Sequence, residues 1–146
     1  MKLNTYLSFD GNCREAFEFY AQALGAKITA MMSFGETPAS EYVSEASRSK
    51  IMHACLDVDG HNIMGTDGTP EHPHVPVQGA HVVADVATPA EAERVFAALS
   101  PGAQIQMPLA ETFWAQRYGQ LVDRYGVAWM VNCSQPLPGC AVESSG

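Results

Sequence analysis

Two patterns of apolar and polar residues alternate along this chain, one with the period of a strand and one with that of a helix. In GNCREAFEFYAQALG, residues Cys13, Phe17, Tyr20 and Leu24 recur at helical spacing. Asn12 stands where an N-cap would stand, Glu15 follows three residues later, and Gly25 can end the helix. In ATPAEAERVFAAL, Thr88 is placed to cap, Pro89 occupies the first helical position, and Glu91 completes a capping box. Ala92, Val95, Phe96 and Leu99 then form its apolar stripe. Each helix follows a strand-like run, LNTYLSF or AHVVADV, and precedes a similar phrase, GAKITAMM or GAQIQMPL. KIMHACLDV and HNIMGTD continue the first half, and WAQRYGQLVD and GVAWMVN continue the second. Asp59-Gly60 and Tyr125-Gly126 supply turns.

The order β-α-β-β-β is therefore written twice, as a weak internal repeat. It predicts an α+β fold of two βαβββ modules, residues 1–73 and 79–133. Their curved mixed sheet would form a cleft, with the helices on the outer face. Thr66–Gly79 reads as the linker, and residues 134–146 as a flexible tail. The linker is long enough to permit exchange of halves between two copies. The polar stretch FGETPASEYVSEASRSK reads as a flap or a partner contact.

Composition narrows the chemistry. The 146 residues are 47% hydrophobic and 16% charged, which suits a folded globule. Sixteen acids against eight bases give a formal net charge of −8, and no Lys/Arg run occurs. Nucleic acid is excluded as an expected partner, since its affinity rests on clustered cations. No apolar stretch approaches the ~20 residues of a membrane helix. MKLNTYLSFDG does not read as a signal peptide. The four cysteines, Cys13, Cys55, Cys133 and Cys140, form no CxxC pair. They read as reduced thiols in a cytoplasmic protein, with Cys13 and Cys55 as small core residues.

Candidate chemistry is sparse. Trp114, Arg117 and Tyr118 form a polar-aromatic cluster. Arg117 would either clamp an anionic ligand beside a Trp114 wall or pair with Asp123 or Glu111. Asp123, Arg124 and Tyr125 read as a turn without a catalytic role. Glu71, His72 and His74 in EHPHVP have a spacing that could grip Zn²⁺, though such loops usually display polar groups to water. His61 reads as surface. No paired carboxylates, no Ser-His-Asp set and no glycine-rich nucleotide loop after a strand appear.

LSFDGNCREAFEFYAQALG, IMHACLDVDGHNIM and MPLAETFWAQRYGQLVDRYGVAWMVN together resemble the PhnB-like branch of the vicinal oxygen chelate superfamily. That superfamily includes glyoxalase I, bleomycin- and fosfomycin-resistance proteins and extradiol dioxygenases. The resemblance spans residues 2–133 and implies paired βαβββ modules, assembled as a homodimer. His53 matches a recurrent histidine of the branch. The superfamily's metalloenzymes hold a divalent cation with one side chain from the first and last strand of each module. By pattern those positions fall here on Asn4, Met64, His81 and Met130. Only His81 is a good ligand for a hard divalent ion, because thioethers are soft donors. The resemblance thus implies an unidentified small molecule bound in an apolar cleft, with no metal or other cofactor. Candidate lining residues are Asn4, Tyr6, Met64, His81, Trp114, Arg117 and Met130. The alternatives are a divalent-metal lyase, isomerase or dioxygenase using His81, or a structural dimer with a filled cleft. Catalysis itself is left open.

Overall fold

The computed structural model describes residues 1–134; residues 135–146, with Cys140 and most of the expected tail, lie outside the described residues. Ser134, expected to open that tail, instead ends the last strand. The chain divides into two compact units, Met1–Gly79 and Ala80–Gly146.

The first unit runs β1 (Thr5–Phe9), α1 (Cys13–Leu24), β2 (Lys27–Ser33), β3 (Ile51–Val58) and β4 (His61–Asp67). Its sheet has the order β1-β4-β3-β2, with β1 parallel to β4 and the other neighbours antiparallel. The second unit repeats the plan with β5 (Val82–Asp85), α2 (Pro89–Leu99), β6 (Gln104–Ala110), β7 (Ala115–Val122) and β8 (Ala128–Ser134). Its order is β5-β8-β7-β6, with β5 parallel to β8. The result is the expected α+β fold, with a mixed four-stranded sheet in each βαβββ unit.

Each helix covers one face of its own sheet. In the first unit Leu7, Phe9, Ala54, Leu56 and Ile63 are buried together with Cys13, Ala16, Phe17, Tyr20 and Ala23 of α1. Phe9, Phe17 and Tyr20 form an aromatic cluster, with ring centroids 5.9–6.4 Å apart. Leu3, part of the strand-like run LNTYLSF, precedes β1 and is 90% exposed. In the second unit Val127, Trp129 and Val131 are buried with Ala92, Val95 and Leu99 of α2. Two glycines set the closest approach of helix and sheet. A Cβ at Gly65 would lie 2.7 Å from the Phe17 ring, and one at Gly119 would lie 2.7 Å from the Phe96 ring.

The two helices begin differently. Thr88 caps α2 as its sequence predicts, its Oγ1 accepting from the Glu91 amide at 3.1 Å. Asn12 makes no side-chain cap bond, and its buried Oδ1 finds no partner among the described residues. Buried Asp67, at the end of β4, does that work. Its Oδ1 accepts from the Cys13 amide at 2.9 Å and its Oδ2 from the Ile51 amide at 2.8 Å. A carboxylate here satisfies an orphan helix donor and complements the helix dipole. Thr66 and Asp67, expected in the linker, thus belong to the sheet.

The segment after β4 also folds onto the first unit. The Gly68 amide donates to the Phe9 carbonyl at 2.7 Å, and a Cβ at Gly68 would collide with the His74 backbone. The expected flap contains three short 3₁₀ turns, Phe34–Glu36, Pro38–Tyr42 and Glu45–Ser47. Backbone bonds from Phe34 to Lys50 and from Gly35 to Arg48 tie its two ends together.

In the second unit the turn residue Asp123 is buried. Its carboxylate accepts from the Tyr125 and Val127 amides at 2.8 and 3.1 Å, and from the Trp129 indole at 2.8 Å. Asp123 is thus committed to this corner.

Two outcomes follow from α1 and its cap. Asp67→Ala should lower unfolding free energy by about 3 kcal/mol, because two buried amides lose a charged acceptor. Asn12→Ala should not lower it, because the Oδ1 it removes is buried without a partner among the described residues; urea titration of both variants checks this. Burial, reinforced by the nearby Asp67 charge and opposed by Arg14, pushes the Cys13 thiol up to about 12 from its usual 9.0. Between pH 9 and 12 the unfolded thiol ionises while the folded one stays protonated. Cys13 therefore withdraws stability as pH rises through that window, at about 1.4 kcal/mol per pH unit. Comparing the pH dependence of unfolding in wild type and Cys13→Ala isolates this contribution.

Candidate functional site

Each sheet has a second face that its own helix does not cover, and strand alternation decides which side chains stand there. In the first unit Tyr6 and Ser8 alternate with buried Leu7 and Phe9, so both point away from α1. Pairing across the sheet places Tyr6 beside Met64 and Met64 beside Cys55, one row of the open face. Ser8 lies beside Thr66 in the next row. His53 is two residues from Cys55 on β3 and pairs with Met32 on β2. The Tyr6 and His53 rings approach to 6.4 Å between centroids. Ser8 Oγ and His74 Nδ1 are 3.0 Å apart. Asn4 is exposed and stands just before β1.

In the second unit Met130 and Asn132 alternate with buried Trp129, Val131 and Cys133. Met130 pairs with Gln120 and Val83, and Asn132 with Tyr118 and Asp85. Trp114 packs edge-on against Tyr118 at 5.5 Å, and exposed Phe113 packs edge-on against Trp114 at 4.7 Å. The Gln120 amide donates to the Tyr118 hydroxyl at 2.8 Å. Asn132 Nδ2 donates to Asp85 Oδ1 at 2.9 Å and to Ser134 Oγ at 3.0 Å. His81 is exposed, directly before β5, in phase with Val83 and Asp85. An aromatic wall, amide donors and acceptors, and a thioether therefore share one open face. Such a surface can stack a flat group and orient a polar one.

The candidate residues separate accordingly. Tyr6 and Met64 are neighbours on the first unit's open face. Met130, Trp114 and Tyr118 belong to that of the second, with His81 at its edge. Arg117 does not join them. Its Nε lies 3.3 Å from Glu93 Oε1 on α2, and its Nη1 donates to the Gln116 carbonyl at 2.7 Å. It therefore faces the helix side, and its carboxylate partner is Glu93 rather than Asp123 or Glu111. Cys55 is half-buried on the open face rather than in the core, whereas Cys13 and Cys133 are buried. Of the EHPHVP residues, His74 is held against Ser8, while Glu71 and His72 are exposed. His61 is exposed, as expected.

Gln120, Asn132 and the Ser8–His74 contact are additional features of these faces. Gln120 and Asn132 were open to the same alternation that found Met130. Nothing local to Ser8 announces a histidine sixty-six positions away.

Among the described residues no group of three or more His, Cys, Asp or Glu side chains is placed to hold a metal ion. The four positions expected to do so carry Asn4, Met64, His81 and Met130. An amide, two soft thioethers and one imidazole do not fit a hard divalent cation. No helix of the described residues is long and apolar enough to cross a membrane.

Residues 1–132 match the family model described as 3-demethylubiquinone-9 3-methyltransferase. Protein YjdN of Escherichia coli (strain K12) is 35% identical over 146 residues, covering 94% of this chain and 99% of that protein. The crystal structure of protein PA1353 from Pseudomonas aeruginosa is similar with a TM-score of 0.85 and 45% identity, covering 93% of this chain and 99% of that one. A Bacillus cereus structure, a putative 3-demethylubiquinone-9 3-methyltransferase, PhnB protein, gives a TM-score of 0.76 at 24% identity over 92% of this chain and 100% of that one. The fold alone extends to the fosfomycin-resistance protein FosX of Listeria monocytogenes, at a TM-score of 0.62 and 10% identity over 92% and 94% of the two chains. The chain belongs to the family described as 3-demethylubiquinone-9 3-methyltransferase, and its fold is that of the glyoxalase/bleomycin-resistance structures.

Proposed function

We propose that this protein binds a small organic molecule on its open sheet faces, without the divalent cation of the superfamily's metalloenzymes. The observation that carries this reading is the row Trp114, Tyr118 and Gln120 on the second unit's open face. There an aromatic edge-on pair stands next to a hydroxyl already oriented by an amide. Aromatic walls with a few placed polar groups are what a small-molecule site needs. Met130 and Asn132 extend the same surface. The replaced donors argue against divalent-metal lyase, isomerase or dioxygenase chemistry through His81, because a lone imidazole holds such an ion weakly.

In this reading the protein works in the cytoplasm, where its three described cysteines remain thiols. It acts as a homodimer. Strand β6 supports that assembly: none of its residues is buried, and Ile105 and Met107 are 41% and 39% exposed. Nucleic acid and membranes are not its partners, in keeping with the net charge of −8.

The test is a thermal-shift screen of aromatic and amphiphilic metabolites on untagged protein, followed by titration of the hits into Trp114→Ala and Tyr118→Phe. Hits should lose about tenfold in affinity in Trp114→Ala, the worth of an aromatic contact, and Arg117→Ala should bind them unchanged. Calorimetric titration of Ni²⁺, Mn²⁺, Zn²⁺ and Fe²⁺ should show no stoichiometric micromolar binding. Tight binding of one of these ions that disappears in His81→Ala would overturn the proposal and establish the metalloenzyme.

A further inference from the structure

Met64, a poor donor to a hard cation, has neighbours that suit a soft one. On the first unit's open face Cys55 and Met64 stand directly opposite each other across the β3–β4 pair. His53 and Met32 stand directly opposite across β2–β3. His53 and Cys55 share one face of β3, two residues apart. Opposed residues on one sheet face have Cβ atoms about 5 Å apart, and residues two apart along a strand are about 6.7 Å apart. A thiol, two thioethers and an imidazole therefore sit in a patch three strands wide, with no carboxylate among them. None of the four is in the core: Cys55, Met64 and His53 are half-buried and Met32 is 38% exposed. Cys55 carries a free thiol. Tyr6 leans toward His53 and walls one side.

We propose that His53, Cys55 and Met64, with Met32 as a fourth donor, form a binding site for a monovalent thiophilic cation, Cu(I). Thiolate and thioether donors select Cu(I) over Mg²⁺, Mn²⁺ or Ni²⁺, and imidazole is compatible with it. Binding deprotonates the Cys55 thiol: the S–H bond gives way to S–Cu, the proton leaves to solvent, and no electron is transferred. The site is independent of the small-molecule reading, which rests on the second unit.

The test is anaerobic Cu(I) titration of the full chain against a chromophoric Cu(I) chelator, in a Cys140→Ser background that removes a thiol outside the described residues. One equivalent should bind, with thiolate-to-Cu(I) charge-transfer absorption in the ultraviolet. Cys55→Ser should abolish that absorption and weaken binding at least about 100-fold, and Met64→Leu should weaken it about tenfold, as expected for loss of a soft ligand. Methionine methyl NMR should show Met64 and Met32 shifting on addition of one equivalent of Ag(I), a redox-inert surrogate; this readout does not depend on any variant folding. Trp114→Ala should bind Cu(I) like the parent, so failure of the two readings can be told apart. Cu(I) affinity retained in Cys55→Ser, or methyl shifts confined to other methionines, would overturn the site.

Discussion

A four-stranded sheet has two faces to cover, and each unit of this chain supplies one helix. Everything chemical about the protein follows from that shortage. One face collects the aliphatic and aromatic residues that stabilise the unit. The other must either stay wet or be covered by something outside the unit. In the first unit Leu7 and Phe9 go under α1 and leave Tyr6 and Ser8 on the far side; in the second, Trp129 and Val131 go under α2 and leave Met130 and Asn132. In β1 and β8 the strand period of two thus sorts scaffold from candidate site.

That sorting separates what the fold needs from what it leaves free. The buried faces are constrained by close contacts such as Gly65 against Phe17 and Gly119 against Phe96. Substitutions on the open faces disturb no such packing. The positions expected to ligate, Asn4, Met64, His81 and Met130, lie on or at the ends of open faces, where a thioether in place of a carboxylate costs the fold little.

Much of this was legible in the sequence because periodicity is a local signal. All eight strands and both helices fall where the patterns place them, and Thr88 caps α2 within its own turn. Long-range choices were not legible. Asn12 looks like a cap but makes no cap bond, and the first helical amide, Cys13, donates instead to Asp67 from another strand. Arg117 illustrates a different failure. It was grouped with Trp114 and Tyr118 because they are close in sequence, yet adjacent strand residues point to opposite faces. Alternation, further modified by the irregular register between Ala115 and Arg117, sends its guanidinium to Glu93 on α2. Cys55 was assigned to the core on residue type alone, and the pairing of β3 with β4 places it on the open face with Met64.

The unequal caps also bear on the order in which the halves acquire structure. Thr88 and the Glu91 amide are three positions apart, so the start of α2 can organise as soon as that turn exists. Cys13 and Asp67 are separated by fifty-four positions, so the start of α1 is completed only when β4 has joined the sheet. A chain emerging from its N-terminus makes the dependent helix first and the self-sufficient one second. The leading amide of the first helix therefore lacks this acceptor until β4 forms, a wait that the Thr88 turn spares the second.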